Sequence, residues 1–325
     1  MNIFFIYSNI ELLSSREALK ERIMEKKPNI IFVHTDSWDG RVLGCMGHKA
    51  MSGATPNVDM LAKRGALFVN AYSSHPICCP SRANMWSGKY THRIESWNNH
   101  KGIEPDTSTF RNEMENAGYS FASGGAGQGG FGKHDYLSGA HTFLARISAW
   151  TASAGIELPV YDSSLSSHAI VKSNKKNIHE GDWEQIEKAK DFLRQNKDSE
   201  DPFFLYVGAT SPHPPFVTSE YWLNKIDEDA VSIPPKDNSE HPVMRYQRIS
   251  KGWRFGFDEK TVRETRRVYF AKCSETDSML GELMKLSDEL GLDKNTYFIF
   301  SSDHGELALE HQDWYKMSLY EGSVR

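Results

Sequence analysis

Asn29-Ile30-Ile31-Phe32-Val33-His34-Thr35-Asp36 is a largely apolar run that stops at a carboxylate. A run without polar alternation suits a strand covered on both faces, as the strands of parallel sheets are. Phe203-Phe204-Leu205-Tyr206-Val207-Gly208 is a second such run, and Ser211-Pro212-His213-Pro214-Pro215 lies beyond it. Thr296-Tyr297-Phe298-Ile299-Phe300-Ser301-Ser302 is a third, and it enters Asp303-His304-Gly305-Glu306. Helical patterns fall between these runs, over 56–66, over 107–117, from Asp182 onward and from about Lys260 to Leu290. Strands alternating with helices along the whole length predict an α/β domain on a parallel sheet. Ligands of such sheets sit beyond the carboxyl ends of the strands. Asp36 and Asp303 are therefore placed for a site, and the proline-rich turn can hold His213 toward the same edge.

The remaining elements are read more simply. Tyr269, Cys273, Thr276, Leu280 and Leu283 recur at four-three spacing in the long helix, a packing stripe that makes Cys273 core, and Gly291 is its stop. Asp182-x-x-Gln185 reads as a capping box opening a helix with Ile186, Ala189 and Phe192 on one side. Short strands are expected at Leu67-Phe68-Val69 and Tyr119-Ser120-Phe121, and residues 11–27 suit a solvated helix. The glycine-rich Gly124–Gly132 loop leads to Lys133-His134-Asp135 and lacks the Lys-Ser/Thr ending of a phosphate cradle. Residues 235–259 read as loop carrying His241. Arg245, Arg248, Lys251 and Arg254 lie there among Tyr246, Trp253 and Phe255, either as a solvated rim or as a grip on an anionic sugar.

Composition narrows the class. A chain of 325 residues with eight Trp and ordinary Gly and Pro content has a sizeable core. Its net charge of −5 gives no global reason to expect nucleic acid or a membrane surface as partner, and no stretch approaches a transmembrane span. Four cysteines (Cys45, Cys78, Cys79, Cys273) are too few and too scattered for a disulfide framework. Met1–Ser15 has a short apolar start without a basic n-region or clear cleavage site, so localisation is not legible from it.

The chemistry concentrates in Cys78-Cys79-Pro80-Ser81-Arg82-Ala83-Asn84-Met85-Trp86-Ser87-Gly88. Proline suits a first helical turn and glycine a helix end, which puts Cys78 and Cys79 at a helix N-terminus where anions are favoured. Arg82 lies near that end, and its fork suits a tetrahedral oxyanion. Cys-x-Pro-Ser-Arg, followed five residues after Arg82 by Ser87-Gly88, resembles the signature of the type I, formylglycine-dependent sulfatases. Similar stretches extend over most of the chain: Glu95-Ser96-Trp97-Asn98-Asn99, Phe131-Gly132-Lys133, Cys273–Glu282 and Ser301–Ala308.

That resemblance implies an alkaline-phosphatase-like fold, a large mixed, mainly parallel sheet between helices. It implies that Cys78 is converted to formylglycine by a formylglycine-generating enzyme, the hydrated aldehyde being the nucleophile. It further implies one divalent cation, calcium in most of the family, held by Asp36, Asp303 and His304 with the group at position 78. Hard oxygen ligands from Asp36 and Asp303 suit calcium or magnesium on chemical grounds as well. Sulfate-contacting residues are implied at Lys133, His213 or His241, and Lys316, and a histidine or Asp135 would protonate the leaving oxygen. The substrate class implied is a sulfated uronic acid or related glycosaminoglycan sugar, in a lysosomal, secreted or periplasmic setting. Two readings of other kinds stand beside it: a phosphonate or phosphodiester hydrolase using the same signature, and an inactive truncated relative.

The sequence departs from the family pattern in three places. Ser37 stands where many members have a second aspartate, leaving that ligand missing or replaced by Asp39. His304 stands for the usual asparagine, and His134-Asp135 follows Lys133 where Lys-x-His is usual. Many members also continue past Tyr320-Glu321, so the expectation is a catalytic domain over 28–325 shortened at its C-terminus, preceded by an extension over 1–27 of unknown role.

Overall fold

In a computed structural model of the chain, the described residues are 5–7, 26–122, 131–133, 136, 168–237, 241–251, 253 and 255–325. Of the expected solvated helix over 11–27 only Lys26 and Lys27 are described, and they are not helical; most of the glycine loop (123–130), and His134 and Asp135, lie outside the described residues.

The strands are β1 (Phe5–Tyr7), β2 (Asn29–Asp36), β3 (Ala66–Leu67), β4 (Ser120–Ala122), β5 (Phe131–Gly132), β6 (His168–Val171), β7 (Phe203–Pro212), β8 (Phe216–Ser219) and β9 (Thr296–Ser302). Seven of them form one sheet in the order β3-β1-β9-β2-β7-β4, with β5 also on β7. β2 is parallel to both β9 and β7, and β4 and β5 are parallel to β7. β1 runs antiparallel between β3 and β9, which makes the sheet mixed. A separate parallel pair, β6 and β8, lies outside it.

The main helices are α1 (Pro56–Arg64), α2 (Cys78–Ser87), α3 (Phe110–Asn116), α4 (Glu180–Asn196), α5 (Pro242–Ser250) and α6 (Glu259–Glu289). Period-two alternation in β2 sends Ile31 and Val33 to one face and Phe32 to the other. On the first face they join Leu205, Val207, Phe298 and Phe300 beneath Leu280 and Leu283 of α6 and Ile186 and Leu193 of α4. On the second, Phe32, Phe204 and Tyr206 pack with Ala83 and Trp86 of α2, Ile103 and Tyr136. Two covered faces account for the unbroken apolar strands.

Three local expectations need correction. Asp182 caps nothing: α4 begins at Glu180 after His179, and both carboxylate oxygens of Asp182 accept backbone N–H groups of Thr210 and Ser211 at 2.8 Å each. The stretch 235–259 is not all loop, because Pro242 at the first turn and His241 as N-cap start α5. Leu67-Phe68-Val69 forms strand only at Ala66–Leu67. The central strands β2 and β9 lie where the apolar runs predict them, and Cys273 is buried.

Candidate active site

Parallel strands bring their carboxyl ends to one edge, and that edge gathers the reactive side chains. Asp36 ends β2, Asp303 and His304 follow β9, and His213 follows β7. Lys133 follows β5 through a very close backbone approach: a Cβ on Gly132, whose φ is +77°, would lie 2.0 Å from the Gly208 carbonyl oxygen. Cys78 opens α2 directly after the extended residue Ile77.

Ligand atoms from Asp36, Cys78, Asp303 and His304 all lie within 4.8 Å of one another, and all four residues are buried. Cys78 Sγ is 3.8 Å from Asp36 Oδ1 and 3.4 Å from His304 Nε2. His304 Nδ1 donates to the Gly305 carbonyl at 3.0 Å, so Nε2 presents its lone pair to the cluster. Burial pushes the His304 imidazole down to about 4, with Asp303 opposing. A neutral nitrogen and two carboxylates turned toward one point make a donor set that fits a divalent cation.

Cations surround the carboxylates. Lys133 Nζ stands 2.6 Å from Asp36 Oδ2. Burial alone would raise Asp36, but Lys133, then His213 and Lys316, hold its carboxyl well below the usual range. Lys316 is buried and donates to Ser37 Oγ at 3.3 Å. Burial opposes its charge, and Cys78 and Asp36 on balance raise its pKa. His213 donates from Nδ1 to Pro214 O at 2.7 Å and its side chain also meets Cys78. A cavity of about 570 Å³ adjoins these groups, lined by Lys133, His213, His179, Thr210 and Lys272 among others.

The site residues expected from sequence divide as follows. Asp36, Cys78, Lys133, His213, Asp303, His304 and Lys316 come together around the acidic cluster. His241 does not: it is exposed, and its Nδ1 accepts the Val243 N–H at 3.2 Å as the cap of α5. Asp135 is outside the described residues.

Arg82 is buried, but its fork faces the carboxylates instead of an open oxyanion position. Nε donates to Asp303 Oδ2 at 2.9 Å, Nη2 to Asp36 Oδ2 at 3.3 Å and to Thr35 O at 3.4 Å. Nη1 faces His34 Nδ1, Lys133 O and Tyr206 Oη. These partners engage all the donors a guanidinium has, so Arg82 positions the cluster. Asp39 does not replace the missing ligand either, since Arg41 Nη2 binds its carboxylate at 2.7 Å.

Several members of the site were not expected from the sequence. Ser37, at φ +68°, donates its hydroxyl to Asp36 Oδ1 at 3.0 Å and its N–H to Asp303 Oδ1 at 3.2 Å. His34 faces Tyr206 Oη at 2.8 Å. Ser73 donates to Asp303 O at 2.8 Å, and Ser81 does the same. Glu306 accepts the N–H groups of Ala308 and Tyr315 and so ties the loop that delivers Lys316. The usable signal was position alone: Ser37 follows Asp36, and Glu306 closes Asp303-His304-Gly305-Glu306.

Comparison with known proteins follows the same pattern. A sequence model described as Sulfatase matches residues 28–325. Arylsulfatase K of Canis lupus familiaris is 40% identical over 313 residues, covering 91% of this chain and 57% of that protein. The phosphonate monoester hydrolase of Agrobacterium radiobacter superposes with a TM-score of 0.67 at 20% identity, over 92% of this chain and 66% of that one. BT1596, described as a 2-O GAG sulfatase, does so with a TM-score of 0.61 at 16% identity, over 92% of this chain and 63% of that one. The two solved structures show the shared alkaline-phosphatase-like fold, and this chain spans less than two thirds of the length of the arylsulfatase K it matches. A family match that runs through every element of the site, with identity at this level, makes the chain a member of the sulfatase family.

Proposed function

We propose that this chain carries the catalytic centre of a sulfuric ester hydrolase, acting on a sulfated uronic acid or related glycosaminoglycan sugar through formylglycine made from Cys78. The observation that carries the reading is the convergence of Asp36, Cys78, Asp303 and His304 within 4.8 Å, ringed by Lys133, His213 and Lys316. The substrate class draws on the relatives, arylsulfatase K among the sequences and a 2-O GAG sulfatase among the structures. A formylglycine-generating enzyme is the partner that maturation at Cys78 requires.

Asp36, Asp303 and His304 would hold the cation with the group at position 78, and calcium is the ion we assign. When bound, it supplies a positive charge that polarises a hydroxyl of the hydrated aldehyde. That hydroxyl gives up its proton to solvent as its oxygen attacks sulfur and the bond to the sugar oxygen breaks. Lys133 and Lys316 stabilise the charge on the sulfuryl oxygens in a water-poor setting, where fixed charges act strongly. His213 or Asp135 gives the leaving oxygen its proton. The second hydroxyl then loses its proton, the C–O bond to sulfate breaks, and the aldehyde returns. An ordinary serine or thiol ester has no such second hydroxyl, which is the chemical reason for the modified residue.

The test is the mass of the Cys78 peptide from protein co-expressed with the generating enzyme, together with turnover of aryl sulfate and aryl phosphonate. The expected result is an aldehyde at position 78 and sulfate turnover that Cys78→Ala abolishes. Preference for the phosphonate would replace the substrate class, and an unmodified thiol would remove the nucleophile.

A further inference from the structure

Lys251, from the basic stretch over 235–259, follows α5 and is not among the residues gathered around the acidic cluster. Its Nζ lies 4.8 Å from the centre of the Trp253 ring and 5.4 Å from that of Tyr315. Among the described residues its only polar side-chain contact is Met317 Sδ at 4.0 Å, and no carboxylate pairs with it. A half-buried ammonium with a thioether and two aromatic faces for company is short of hydrogen-bond acceptors. Such a group is costly to keep unless a ligand completes it.

Tyr315 ties this lysine to the reaction centre. Lys316 Nζ approaches the same ring at 5.9 Å, and the His213 ring lies 6.4 Å from it. Lys316 and His213 both interact with the group at position 78, while Lys251 does not. Both lysines therefore lie near one aromatic ring, 5.4 and 5.9 Å from its centre, and Lys316 also interacts with the group at position 78. Burial holds Lys251 down to about 8; Asp313 and Glu306 favour its charge and Lys316 repels it.

We propose that Lys251 is a specificity-determining residue that binds a second anionic group of the substrate, the carboxylate of a uronic acid, while Lys133 and Lys316 take the sulfate. The inference rests on the sulfate-ester reading above and deepens it. A sugar with both anions would meet two separate cationic positions, and a neutral sulfated sugar only one.

The measurement uses the formylglycine-bearing protein and two esters, a sulfated glucuronate glycoside and the sulfated glucoside that lacks only the carboxylate. Lys251→Met is expected to lower the ratio of kcat/KM for the acidic over the neutral ester by about tenfold, the worth of one charge-assisted contact. The loss should appear in KM, and Lys251→Arg should keep most of the ratio. A ratio unchanged in Lys251→Met, even with both activities reduced together, would make Lys251 a packing residue and overturn the inference alone. Failure of the unsubstituted protein on both esters would remove the sulfate-ester reading and this inference with it.

Discussion

Arg82 shows how one residue can be recognised for its place and misread for its partners. Proximity to the start of α2 suggested an oxyanion ligand, yet its guanidinium lies between Asp303 at 2.9 Å and Asp36 at 3.3 Å, with all three side chains fully buried. Burial disfavours its charge, and Asp303, then Tyr206 and Asp36, more than restore it. Two buried carboxylates so close together need that counter-charge when no cation is bound. Arg82→Met is therefore expected to cost about 3–5 kcal/mol of stability in the metal-free protein. Urea unfolding in a chelator measures it, and added calcium should recover part of the loss. A variant as stable as the parent would mean that the carboxylates do not depend on Arg82.

At the scale of elements, the site depends on how tightly β5 lies on β7. A Cβ on Gly208 would stand 1.9 Å from the Lys133 carbonyl oxygen, and β5 pairs through Phe131↔Val207 and Gly132↔Gly208. Gly208→Ala must push β5 away, and β5 carries Lys133 to Asp36. The variant should lose about 2 kcal/mol or more of stability, as other steric changes in packed cores do. It should also lose activity beyond its loss of folded protein, read as kcat per aldehyde-bearing molecule at a temperature where both proteins are folded. Unchanged kcat would show that Lys133 reaches Asp36 without this contact. A related dependence holds the loop from Leu307 to Met317. Ala308, Leu309, His311, Gln312, Tyr315 and Met317 all have positive φ there, a conformation that costs roughly 1–2 kcal/mol per non-glycine residue. Glu306 and the Arg248–Asp313 ion pair at 3.0 Å restrain it and so deliver Lys316.

At the scale of the whole molecule, buried imidazoles make stability depend on pH. His48 packs edge-on to Phe270 at 4.8 Å between ring centres. Burial, then Arg266 and Arg41, lower it to about 4. The unfolded chain protonates His48 near 6.5, and the folded chain does so only near 4. Its contribution is therefore complete above about pH 6.5 and is lost as pH falls toward about 4. Partial solvation reduces that share to about 1 kcal/mol. Thermal unfolding of His48→Gln across this window should show a shallower acid slope than the parent. Coincident slopes would assign the acid sensitivity to other groups.

The sequence by itself determined the parallel α/β order and the central strands, and its family pattern marked Asp36, Cys78, Asp303 and His304, which the structure gathers within 4.8 Å. Apolar runs buried on both faces and a catalytic signature are local properties, written in neighbouring residues. It also named Lys133 and Lys316, because a family pattern fixes their places along the chain. Only the tertiary structure decided what those charges face: Arg82 between two carboxylates, Ser37 beside Asp36, Asp182 on the β7 backbone, His213 at Cys78 and His241 away from it. Such pairings join residues far apart in the chain, and the distance between two side chains is set by strand register and loop path. The same physical reason kept Lys251 within a nondescript basic stretch until Tyr315 placed it beside Lys316.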